Sequence, residues 1–124
     1  MYTLSFDSLD IDITVIPQFG KNIQIVAFKG KFNHQNAYSI SRDLQSLFKE
    51  EVYELVLNLS ELKYINSVGL AIILSMVKIV DQHSGKFVIG GVNKSIETII
   101  QLVELPEKVL ICSSVDEAIK HWSD

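Results

Sequence analysis

One hydroxyl stands out among the side chains of this 124-residue chain that could do chemistry. Ser67 sits in Tyr64-Ile65-Asn66-Ser67-Val68-Gly69-Leu70, a polar turn that follows an apolar strand and opens a helix apolar almost all round. A strand-to-helix junction exposes backbone N–H groups and a side-chain oxygen at one spot. A serine there can cap the helix, meet a partner, or accept a phosphate, whose charge a helix start tolerates.

The other reactive residue types form no constellation. His34, His83 and His121 are far apart in sequence and lack metal-ligand spacing, so no metal site is expected. Cys112 is the single cysteine, which excludes an internal disulfide and fits a reducing compartment. It lies in the apolar run Val109-Leu110-Ile111-Cys112, which predicts an inert core thiol. Gly90-Gly91 stands alone and Gly69 belongs to no G-x-x-x-x-G-K-[ST] loop, so no phosphate-binding loop and no cofactor are expected. No G-x-S-x-G elbow occurs. Glu50-Glu51 and Asp116-Glu117 fall at the ends of predicted helices, where solvated charge explains them. No catalytic residue is assigned, and a non-enzymatic role is expected. A formal net charge of −4 argues against a nucleic-acid partner.

The elements that must position Ser67 follow from periodicity. With 48% hydrophobic and 21% charged residues, the chain reads as one domain over residues 1–124, with an aliphatic core because aromatics are only 9%. Asp10-Ile11-Asp12-Ile13-Thr14-Val15-Ile16 alternates, predicting a half-solvated strand. Pro17 to Asn22 is the expected turn and Ile23 to Phe28 the returning strand of an antiparallel hairpin. Gly30 to Asn36 reads as a polar loop. Ala37, Ile40, Leu44, Leu47 and Phe48 then recur at helical spacing, with Ser, Arg, Asp and Lys outward. Leu55 to Leu59 barely alternates, as in a central strand covered on both faces. The Ser67 helix ends near His83-Ser84-Gly85, and Lys86 to Gly90 is the next strand. A third helix carries Ile96, Ile99, Ile100 and Val103, is capped by Asn93 or Ser95, and ends before Pro106. Val109 to Cys112 is a last short strand. Ser114-Val115-Asp116-Glu117 matches a capping box that opens a final helix. Alternating helices and strands predict a parallel portion with right-handed crossovers. The fold class is α/β: a mixed sheet of about five strands, antiparallel hairpin first and parallel portion after it, flanked by about four helices.

Met1 to Asp7 has no basic region followed by an apolar stretch, so no signal peptide is expected. The longest apolar stretch, Val68 to Val80, is broken by Ser75 and Lys78 and is too short to span a bilayer. The expected compartment is the cytoplasm, with no membrane partner.

On a wheel at 100° per residue, Gly69, Ile72, Ile73, Met76 and Val80 face the core. Ser67, Leu70, Ala71, Leu74 and Lys78 form the opposite stripe, which puts two exposed leucines beside the hydroxyl. Adjacent outward apolar side chains predict a docking surface, either for another protein or for a second copy in a homodimer.

The chain resembles the STAS domain family over nearly its whole length, particularly the bacterial anti-sigma factor antagonists. Leu57-Asn58-Leu59-Ser60-Glu61-Leu62-Lys63-Tyr64-Ile65-Asn66-Ser67-Val68-Gly69-Leu70-Ala71 is similar in order and spacing to their signature, a strand ending in D-L, a short apolar link, then D-S-S-G-L-G and a helix. Gly30-Lys31-Phe32-Asn33-His34 resembles the family's G-x-L-D-x loop, and Gly85-Lys86, the helix from Ile96 to Leu105 and Glu117-Ala118 agree in pattern. The resemblance implies a protein–protein switch. The serine matching Ser67 is phosphorylated by an anti-sigma factor that is also a serine-protein kinase, phosphorylation breaks the complex, and a phosphatase resets it. The implied partner-binding residues are Asn33, His34, Asn66, Ser67, Val68, Leu70, Ala71, Leu74 and Lys78. Asn66 stands where aspartate is usual, keeping its shape and hydrogen-bonding reach without its charge. Asn33 replaces the usual loop aspartate. Val68 replaces a common Ser or Thr, so Ser67 is the only acceptor at the helix start.

Two other readings stay open at this point. One is a constitutive STAS scaffold or accessory subunit of a transport or signalling complex, with Leu70 and Leu74 permanently buried and Ser67 only a cap. The other is a small-ligand sensor using the loops around Asn33, Asn66 and Asn93.

Overall fold

Phe19 and Gly20, at φ 52° and 77°, make the two-residue turn that opens the main hairpin. Two positive φ values in succession match the right-handed twist of the strands on either side. In the computed structural model, which describes residues 2–48, 50–103, 105–106 and 109–123, the strands flanking this turn are β2 (Leu9–Gln18) and β3 (Lys21–Phe32). They pair antiparallel with Gln18 opposite Lys21. Pro17, expected in the turn, lies inside β2 opposite Asn22. It is next to the last residue of the strand, where a missing N–H costs the ladder little.

An N-terminal strand, β1 (Tyr2–Phe6), pairs antiparallel with β2. The parallel half follows: β4 (Leu55–Leu59), β5 (Leu62–Ile65), β6 (Phe87–Val92) and β7 (Leu110–Cys112). The sheet order is β1-β2-β3-β4-β6-β7. The long β3 pairs with β4 through residues 24–27 and with β5 through residues 30–32. The sheet is therefore mixed in the expected order, with seven strands among the described residues instead of about five. Both additional strands are short: β1 at the edge, and β5 within the apolar link ahead of Ser67.

Gly30 explains the largest local difference from expectation. It holds φ 117° at a register shift between the β5 pairs, and a Cβ there would lie 2.3 Å from the Ser8 carbonyl oxygen. Glycine lets β3 bend and continue, so the expected loop from Gly30 to Asn36 shrinks to Asn33 alone before α1 (His34–Arg42). The expected single helix through Phe48 also breaks. Asp43 leaves the helical region, and a 3₁₀ turn, Leu44–Phe48, follows. The Ser46 hydroxyl donates to the Asp43 carbonyl (2.6 Å), and the buried Gln24 amide donates to the Leu47 carbonyl (2.6 Å). These bonds hold the turn while Leu47 and Phe48 keep their core positions. Lys49, at the end of that segment, and Glu104, within the expected third helix, lie outside the described residues.

The remaining helices are α2 (Ser67–Gln82), α3 (Lys94–Gln101) and α4 (Val115–Ile119). Residues of α1, α2 and α3 join the inward side chains of β2, β3, β4 and β6 in the main core. On the other face Ala118 and Trp122 pack on Ile23, Val56 and Val88, with Val115 and Ile119 beside them.

Asn36 ties these parts together. Its buried side chain donates to the Asp7 (2.6 Å) and Lys31 (2.7 Å) carbonyls and accepts from the Asn33 N–H (3.0 Å). Removing it strands three backbone groups, each costing about 1–3 kcal/mol when buried and unsatisfied. Asn36→Ala should therefore lower unfolding stability by about 2 kcal/mol or more in denaturant melts. A loss under about 0.5 kcal/mol, the range of ordinary surface changes, would contradict this role.

Candidate partner-docking site at the start of the second helix

Strands β3 and β5 end side by side, with Phe32 opposite Ile65 and the Asn66 N–H donating to the Phe32 carbonyl (3.1 Å). Each strand is followed by one asparagine and then a helix. Asn33, extended at φ −111°, accepts from the N–H groups of Gln35 (3.0 Å) and Asn36 (3.1 Å). With the return bond from Asn33 N–H to Asn36 Oδ1, this is a complete capping box. Asn66, extended at φ −98°, accepts from Gly69 N–H at 2.8 Å. His34 and Ser67 are thus the first residues of two helices that start from adjacent strand ends.

The first turn of α2 sits directly on those strand ends. A Cβ on Gly69 would lie 2.8 Å from Ile65 Cγ1 and 3.0 Å from Phe32 Cγ, closer than a methyl group can approach. Gly69 is needed here for proximity.

Capping falls to Asn66 and not to Ser67. Among the three roles open to that serine, the structural one is taken by its neighbour. Ser67 is exposed, and its hydroxyl has no hydrogen-bond partner among the described residues. Neither α1 nor α2 carries an acidic residue in its first turn.

Of the residues singled out in the sequence, Asn33, His34, Asn66, Ser67 and Val68 meet at these joint helix starts, and Leu70, Ala71, Leu74 and Lys78 trail down α2. The expected pair of exposed leucines needs correction. Leu70 and Leu74 are half-buried, and Leu70 packs against the main core. Val77 is buried as well, which widens the inward arc, and both leucines lie within a turn or two of Ile73 and Val77 on that flank. The exposed line is Ser67, Val68, Ala71, Ser75 and Lys78, a narrower and more polar ridge. Val68 is 40% exposed and Tyr64, at the end of β5, 48%. Tyr64 is legible as part of the motif but not as an exposed aromatic, because the four-residue β5 is too short to give a periodic strand signal.

The loops proposed as a ligand sensor are occupied with structural work. Asn93 caps α3 through Ile96 N–H (3.0 Å), and its amide donates to the Leu62 carbonyl (2.6 Å). His83 caps the opposite end of α2, stacked on Tyr53 with ring centroids 3.8 Å apart. Among the described residues no group of three or more His, Cys, Asp or Glu is placed to hold a metal. Cys112 is half-buried, and burial, then the Glu117 carboxylate, push its thiol above the ordinary range, toward the unreactive protonated form. No helix among the described residues is long and apolar enough to cross a membrane.

Residues 11–118 match the model of the STAS domain. The chain belongs to the STAS domain family. Its fold is shared with solved structures at low identity. An anti-sigma factor antagonist from Mycobacterium paratuberculosis aligns at TM-score 0.70 and 20% identity, covering 92% of this chain and 95% of that one. The anti-sigma factor antagonist SpoIIAA in its unphosphorylated form aligns at 0.64 and 13%, covering 90% and 96%. The Bacillus cell fate determinant SpoIIAA in the phosphorylated form aligns at 0.64 and 14%, covering 90% and 97%.

The cap assignment in this STAS domain separates two neighbouring variants. Asn66→Ala should cost about 1 kcal/mol of stability, the usual worth of an N-cap. Ser67→Ala should stay within about 0.5 kcal/mol of the parent. Thermal melts of the two purified variants measure this, and equal losses would mean that the hydroxyl shares the cap.

Proposed function

We propose that this STAS domain, read as one unit over residues 1–124, is an anti-sigma factor antagonist. It binds an anti-sigma factor that is also a serine-protein kinase, and it lets go when Ser67 is phosphorylated. A phosphatase restores binding, so transcription is regulated by partner switching in the cytoplasm. The domain itself catalyses nothing and needs no cofactor in this reading.

The observation that carries the proposal is the free hydroxyl of Ser67. It is exposed, makes no hydrogen bond among the described residues, and is relieved of capping by Asn66. A kinase can reach such an oxygen without unfolding the helix. Phosphate adds about −1.5 to −2 charges at neutral pH, which a helix start accepts. The same dianion borders Val68 and Ala71, with half-buried Leu70 and Leu74 alongside. A partner covering that edge would have to desolvate the phosphate, which is costly without compensating cations. Binding is lost while the fold survives. SpoIIAA, which shares this fold, has been solved in both phosphorylated and unphosphorylated forms.

A second reading is favoured by one residue. Asn66 carries no charge to orient a kinase on Ser67, and a scaffold or accessory subunit of a transport or signalling complex would keep the same face permanently covered.

Incubation with the cognate kinase and ATP distinguishes them. The switch predicts one added phosphate by intact mass, absent in Ser67→Ala. Ser67→Asp should keep its circular dichroism and melting temperature yet bind the anti-sigma factor over tenfold more weakly, roughly 1.4 kcal/mol or more. An unlabelled protein, or a Ser67→Asp variant that binds as tightly as the parent, leaves the scaffold reading.

A further inference from the structure

Four asparagine side chains hold the starts of α1, α2 and α3, and they divide into two pairs. Asn36 and Asn93 spend both ends of the amide: each oxygen accepts a backbone N–H, and each nitrogen donates to backbone carbonyls. Asn33 and Asn66 spend only the oxygen. Asn33 Oδ1 takes two helix N–H groups and Asn66 Oδ1 takes one, while neither Nδ2 has a partner among the described residues. The orientation follows from chemistry, since a backbone N–H can be met only by the carbonyl oxygen of an amide. Both asparagines are partly exposed, and they follow adjacent strand ends.

The consequence is a pair of helix starts that offer donors and no carboxylate of their own. The donors are the Asn33 and Asn66 amides, the Ser67 hydroxyl and the exposed imidazole of His34. Exposed Lys31, in register with Tyr64, and Lys63 sit on the two strand ends behind them. The first turns of α1 and α2 are free of acidic residues, whereas those of α3 and α4 carry Glu97 and Asp116-Glu117. On a chain of net charge −4, these two helix starts carry no acidic side chain of their own, and exposed Asp7 is tied to the start of α1 through its backbone carbonyl.

We propose that Asn33 and Asn66 are specificity determinants of the docking face, and that the partner segment they select is acidic, meeting the two amides with carboxylate oxygens. The inference rests on the proposed function for the existence of the partner and adds the chemistry of its contact. Any good cap residue would start these helices, aspartate as well as asparagine. Of that pair, only asparagine leaves a donor over. An aspartate in its place would keep the helix and turn a carboxylate toward the partner's own, and like charges meeting in an interface weaken binding. The two amides therefore admit one class of partner and exclude its charge-reversed counterpart, which is specificity by repulsion as well as attraction.

The test titrates the serine-kinase anti-sigma factor of the host genome against the unphosphorylated parent protein, N33D/N66D and Asn66→Ser, at low and high salt. The aspartate pair should melt within a few degrees of the parent, because its caps persist. It should bind at least tenfold more weakly at low salt, with part of the loss recovered at high salt as repulsion is screened. Asn66→Ser keeps a neutral cap and exchanges the amide's two donors for one hydroxyl of shorter reach, so it should bind a few-fold more weakly with no salt dependence of the loss. Equal or tighter binding by N33D/N66D at unchanged stability overturns the inference and leaves the proposed function standing. Absence of any complex with the parent removes both.

Discussion

The bond from Gly69 N–H to Asn66 Oδ1 decides what the rest of this site can be. Four N–H groups at a helix start need partners, and one short polar side chain can meet one or two of them. Because Asn66 takes that duty, the next residue is released to solvent as the first residue of α2. Had the cap fallen one position later, the Ser67 oxygen would have been turned back onto its own helix. A single-residue difference in capping thus separates a structural serine from an available one.

The position of that cap is itself set by the sheet. β3 is long enough to pair with β4 at one end and β5 at the other, and the bend at Gly30 makes this possible. β5 then ends level with β3, so α1 and α2 start side by side. Gly69 lets the first turn of α2 settle onto Ile65 and Phe32 with no side chain between. Each contact is short and specific, and together they bring two segments 33 positions apart in sequence to one rim. Asn36, bonded to Asp7, Lys31 and Asn33, fixes the other side of that rim by joining the β1–β2 turn to the start of α1.

Much of this is legible in the chain itself. The alternation of residues 10–16 and the unbroken apolar run at Leu55 to Leu59 carry strand signals of two different kinds, and both strands are present. Asn93 was one of two named caps for α3, and Ser114 caps α4 through Glu117 N–H. Other features depended on tertiary partners that periodicity does not encode. β5 is four residues long and exists because β3 is beside it. The break at Asp43 reflects bonds to Ser46 and from Gln24 to Leu47, the latter reaching across 23 residues. Pro17 looked like punctuation, yet a strand end tolerates it. Leu70 and Leu74 looked outward on an ideal wheel, but a core contributed by sheet and helices together is wider than a wheel's half-circle. At the site, Ser67 reads from the sequence as the residue able to cap the helix, whereas the cap is Asn66, one position earlier, a difference set by backbone geometry that residue type alone does not encode.

The neutral cap also bears on how phosphorylation would be read out. A dianion on Ser67 beside a carboxylate would meet repulsion within its own domain, and part of its effect would be spent on the fold. Beside an amide there is no such opposition, and the helix start contributes about 0.3–1 kcal/mol in favour of the charge. The free domain is then left unharmed or slightly stabilised, while the complex must either desolvate the phosphate or open to admit water, at a cost of several kcal/mol. A switch works by the difference between its effects on two states, and a ligand or modification that acts equally on both shifts nothing. Under the proposed switch, Asn66 would therefore concentrate the effect of one phosphate on the bound state, where partner switching needs it.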